Sequence, residues 1–126
     1  MILRLCLGAA ALAFAAAPRA ADMNTELNRI LEENAASAAY ARACDEEPMS
    51  EQLKANTMML LAVTGMEPHN VQLGSAKFND VMRREIASMR GGKKVDCSAR
   101  VQEARDRLAA TQGIIRGSHR DTSSGN

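Results

Sequence analysis

The chain has 126 residues and a mass of 13.6 kDa, room for one domain, and its 16 basic and 15 acidic side chains leave it near neutral. Aromatic residues make up only 2% and Trp is absent, which argues against ring platforms that stack bases or sugars. The same shortage argues against a sheet core rich in aromatic and β-branched side chains.

Arg4 precedes an apolar run from Leu5 to Ala17, followed by Pro18, Arg19, Ala20 and Ala21. The run is shorter than the ~20 residues of a membrane-spanning helix and has the outline of a secretory signal over 1–21, with Asp22 as the nominal mature start. Cys6 lies in this run and leaves with it. Cys44 and Cys97 remain, a count that pairs without remainder in an oxidising compartment such as the periplasm.

Four amphipathic helices follow from apolar spacing and punctuation over 22–116. The first, from Asp22 to Ala43, repeats Met23, Leu27, Ile30, Leu31, Ala35, Ala38 and Ala41 at three- and four-residue steps. Asp45, Glu46, Glu47 and Pro48 break it. Ser50 then reads as the N-cap of a second helix with Leu53, Thr57, Leu60, Leu61 and Thr64 on one face, stopped by Gly65.

Pro68 suits the first turn of a third helix, whose face is Val71, Phe78, Val81, Met82, Ile86 and Met89, with Gly74 and Ser75 loosening its early turns. Asp96 caps a fourth, with Cys97, Val101, Ala104, Leu108 and Ile115 on one side. From Gly117 to Asn126 the composition reads as a disordered tail. No stretch alternates with period two, so the expected fold is all-α: a small antiparallel bundle of about four helices.

A bond between Cys44 and Cys97 would tie the first and last helices, expected as the outer pair, and is worth roughly 4 kcal/mol in the chain-entropy treatment. The charges are polarised as well. Residues 22–82 hold four basic against ten acidic side chains, and 83–126 ten basic against five acidic. Arg83, Arg84, Arg90, Lys93 and Lys94 therefore form a candidate face for an anionic partner, an acidic envelope protein or anionic lipid headgroups. Nucleic acid is disfavoured, because aromatics do not interleave the cations.

Catalytic signatures are missing. His69 and His119 have no partner spacing, and H-E-x-x-H, C-x-x-C, G-x-S-x-G and glycine-rich phosphate loops do not occur. Asp45, Glu46 and Glu47 lack the alternating ligands of a calcium loop, and the methionines lack clustered M-x-M spacing, so neither implies a metal. No cofactor is expected.

Tyr40, Arg42 and Cys44, the run Phe78-Asn79-Asp80-Val81-Met82-Arg83, and Cys97-Ser98 together resemble a family of small exported two-cysteine helical proteins of Alphaproteobacteria. The likeness spans about 27–112, with Met82 where that family carries Tyr. It implies the helical architecture and the bridge, and no reaction. In general design the chain is also similar to the acid-stress holding chaperones of the periplasm. The expected function is thus a periplasmic, non-enzymatic binding module, with Tyr40, Phe78, Arg83 and Arg84 as contacts wherever exposed; the alternative is a stress chaperone.

Overall fold

The computed structural model describes the backbone of residues 18–92 and 94–124, and side chains over 25–92 and 94–118. The expected signal, 1–21, lies for the most part outside them, and only 18–21 are seen, as the opening turn of a helix. Four helices follow in order: α1 (Pro18–Ala43), α2 (Glu47–Val63), α3 (Pro68–Arg90) and α4 (Cys97–Ser124), with no strand among the described residues. The fold is a small all-α bundle.

Helix ends follow from backbone chemistry. Three helices finish in the same left-handed turn, at Asp45 (φ 63°), Gly65 (φ 87°) and Gly92 (φ 106°). After α1, Asp45 N–H donates to Arg42 O (3.2 Å) and Glu46 N–H to Ala41 O (2.8 Å), so the carbonyls left over by the last turn find donors. Gly65 and Gly92 take this conformation without a Cβ penalty, and Asp is among the few other residues that tolerate it. The start of α4 is capped as expected, with Ala99 N–H donating to Asp96 Oδ1 at 3.2 Å.

Two ends differ from expectation. Helix α2 begins at Glu47, three residues before Ser50, because Pro48 fits the first turn, where a missing N–H costs nothing. Ser50 is therefore no cap; its N–H donates to Glu46 O at 3.1 Å and its side chain is buried. Helix α4 continues through Ser124, past Gly117 where a tail was expected, although side chains beyond Ser118 lie outside the described residues.

The arrangement also corrects the expectation that α1 is an outer helix. Helices α1 and α2 each pack on all three others, whereas α3 and α4 do not meet among the described residues. The central pair approaches closely because α1 presents Ala35, Ala38, Ala39 and Ala41, all fully buried. Leu53 and Leu61 of α2, Phe78 and Met82 of α3 and Ala104 of α4 complete the core around them. Gly74 does not loosen α3. A Cβ there would lie 2.6 Å from Leu61 Cδ1, so its absence lets α3 close onto α2.

Cys44 and Cys97 are bonded, their Cα atoms 5.6 Å apart and 53 residues separated in sequence. Cys97 was expected on an apolar face, but it is exposed and Cys44 half-buried, so the bond closes the bundle at its surface. It fixes α1 against α4 where one ends and the other begins, which sets these two antiparallel. Reducing the bond should lower Tm by about 15 °C, the shift that roughly 4 kcal/mol produces in a domain this size. Circular-dichroism melts with and without reductant check this; an unchanged Tm would remove the bond from the stability of the fold.

Candidate functional site

Four of the residues expected to meet an anionic partner are described, on α3 and in the connection after it. Arg83 and Arg84 are exposed, but both pair with Asp80, at 3.3 and 3.2 Å. Arg90 and Lys94 are exposed at the end of α3 and in the following connection, and Lys93 lies outside the described residues. Two other cations of the basic half turn inward. The Arg100 guanidinium lies 4.1 Å from the centre of the Tyr40 ring, and Arg107 reaches Glu33 on α1. Tyr40 and Phe78 are buried, at 4% and 0% exposure, so neither offers a contact surface.

The α1–α4 seam carries most of the buried polar chemistry. Asn34 Nδ2 donates to Thr57 Oγ1 of α2 and to Thr111 Oγ1 of α4, each at 2.9 Å. Each threonine hydroxyl donates in turn to the carbonyl four residues back, Leu53 O and Arg107 O. The directions are forced. A hydroxyl has one proton, here given to its own helix, so only a donor can satisfy both oxygens from the middle. The clue in the sequence was a polar residue at position 34 within the apolar stripe of Leu31, Ala35 and Ala38.

One turn outward, Glu33 accepts from Arg29 of its own helix (3.0 Å) and from Arg107 of α4 (2.7 Å). Arg29 also pairs with Glu26, and Arg107 Nε stands 3.8 Å from Glu103, which pairs with Arg100. Burial pushes the Glu33 carboxyl up, but hydrogen bonds and charge from Arg107 and Arg29 outweigh it and hold the group below its ordinary value. Glu26 is likewise held below its ordinary value, chiefly by its hydrogen bond to Arg29.

At the end of the bundle away from the disulfide, the first described turns of α1, the end of α2 and the start of α3 enclose an open groove of about 780 Å³. Its apolar lining is Leu27, Leu31, Leu61, Met66 and Leu73, the last 56% exposed. Asn28, Thr64, Glu67, Asn70 and Lys77 supply polar edges. Lys77 Nζ donates to Asn28 Oδ1 (2.6 Å) and pairs with Glu32 (3.0 Å), which fixes α3 beside α1 along the groove. Sequence periodicity did not reveal this site, because it forms only where three helix ends converge.

Among the described residues no three His, Cys, Asp or Glu side chains are placed to share a metal ion. None of their helices is long and apolar enough to cross a membrane. Comparison with protein-family models, curated proteins and solved structures finds no match.

Asn34 offers a direct test of the seam. Asn34→Ala should cost about 1–3 kcal/mol, since it leaves two buried oxygens without a donor. Asn34→Asp should cost more at pH 7, because a carboxylate only accepts and would face two acceptors, and part of the loss should return once the new carboxyl is protonated. Urea denaturation of both variants at pH 7 and pH 4 checks the order; equal losses at both pH values would refute it.

Proposed function

We propose that this chain is exported to the periplasm and works there by binding rather than by catalysis, with the groove at the open end of the bundle as its contact site. The observation that carries this reading is an apolar groove of about 780 Å³ bordered by the exposed Leu73. Large apolar side chains in a concave, rigidly framed surface cost solvation free energy until something covers them. Export is supported by the N-terminal apolar run and by a disulfide compatible with an oxidising compartment.

The partner that suits this groove is an amphipathic helical segment of another envelope protein. Such a segment lays apolar side chains three and four residues apart into a cleft between helices and meets polar groups at its edges. Asn28, Thr64 and Asn70 supply those edges. The groove also belongs wholly to the acidic part of the chain, 22–82, so basic residues flanking the apolar stripe would favour the complex. The exposed Arg90 and Lys94, with Arg83 and Arg84 if they exchange Asp80 for it, would meet acidic groups on the same partner or an anionic membrane surface.

A displayed library of amphipathic helical peptides, panned against residues 22–126, tests the reading. Enriched peptides should share the apolar stripe and lose about tenfold or more in affinity to Leu73→Asp, a substitution at an exposed position that leaves Tm unchanged. Enrichment that ignores Leu73→Asp would overturn the groove as the site. Suppression of client aggregation only after acid exposure, without saturable peptide binding, would replace a binding module by a holding chaperone.

A further inference from the structure

The two guanidiniums at the α1–α4 seam converge on a single oxygen. Arg29 Nη1 lies 3.0 Å and Arg107 Nη1 2.7 Å from Glu33 Oε2. One carboxylate thus stands between two cations, one on each helix. Arg29 has a second partner in Glu26, but Arg107 has only Glu103 at 3.8 Å, and its Nε is buried without a hydrogen-bond acceptor. Both sides of the pair are part-buried, with Arg107 31% and Glu33 34% exposed, so solvent screens it less than it screens the more exposed pairs on α3.

The charged groups around Glu33 come from three helices. Helix α1 supplies Glu26, Arg29 and Glu32, α4 supplies Glu103 and Arg107, and α3 supplies Arg84 and Glu85, which share a shallow cleft with Glu33. Helix α2 meets the seam through the uncharged Thr57. Protonating Glu33 removes the negative charge between Arg29 and Arg107 and leaves two like charges facing each other.

Helix α4 is the element this would move. Among its described side chains Ala104, Thr111 and Ile115 are buried and Leu108 packs against the core, and it carries Arg107 to Glu33. The attachment of α4 thus joins apolar packing to the polar contacts of Thr111 and Arg107, and at its first residue it is covalently tied to the end of α1. We propose that Glu33 is a proton-operated latch: its protonation releases α4 from α1 and α2, while the Cys44–Cys97 bond keeps that helix tethered to a packed α1–α2–α3 core. The latch stands independently of the binding reading, because none of Arg29, Glu33 and Arg107 lines the groove.

The sign follows from linkage. Because Glu33 is held below the ordinary value in the folded chain, its contribution is complete above the unfolded carboxyl value of about 4.3 and is lost as pH falls through the folded one. Hydrogen exchange of the oxidised protein from pH 7 to pH 3, corrected for intrinsic rates, reads the outcome helix by helix. Amides over 100–116 should lose protection at a higher pH than those around Phe78, and the fluorescence of Tyr40, the sole tyrosine, should change with the former. Glu33→Gln, which removes the charge at constant shape, should already lower α4 protection about tenfold at pH 7, while protection around Phe78 changes less than twofold. Arg107→Gln should abolish the separate α4 step in the pH series. Loss of all protection in one step for the unaltered protein, or α4 protection unchanged in Glu33→Gln, would overturn the latch; if Glu33→Gln unfolds, the pH series alone decides.

Discussion

Seven of the eight consecutive residues from Asn34 to Ala41 are buried, which leaves α1 almost no solvent-facing side along two turns. Much else in the fold answers that condition. A helix covered from several directions needs small side chains to let its neighbours approach, and four alanines supply them. Any polar residue there must be satisfied from within. Asn34 meets this with both amide protons, and in doing so joins α1, α2 and α4 through one side chain.

The same condition separates the two ends of the molecule chemically. Toward the disulfide, α1 and α4 run together through the Tyr40–Arg100 contact and the covalent bond, and the seam is closed. Toward the other end, no described side chain of α4 lines the space between α1, α2 and α3, and a groove with exposed apolar surface remains. One end is held by a covalent bond and a cation–π contact and the other offers apolar surface.

The four helices, the pairing of Cys44 with Cys97 and the cap at Asp96 were legible because each depends on local spacing or on a count: periodic apolar residues, turn chemistry, two cysteines left over. What was not legible depends on how faces meet. The apolar stripe of α1 announced a buried side, but not that the helix is central. The basic half looked like an external face, yet Arg107 finds Glu33 across 74 positions of sequence, a pairing that only packing creates. Ser50 shows the reverse case, a good local cap signal overridden because Pro48 starts the helix sooner. At Asp45 the left-handed turn falls on a residue that sequence habits assign to glycine.

Because Asn34 and Thr111 lie 77 positions apart, the seam they hold is among the slowest contacts for a chain diffusing from the unfolded state. The Cys44–Cys97 bond shortens that path. Through the sulfurs, only the segments 34–44 and 97–111 separate the two partners, and both are helical over nearly their whole length. An oxidised chain therefore searches a much smaller space before α4 docks, while a reduced one must close the full loop. Oxidation governs how fast this protein folds as well as how well it stays folded, so the order of bond formation and helix docking decides how long its apolar faces stand open to solvent.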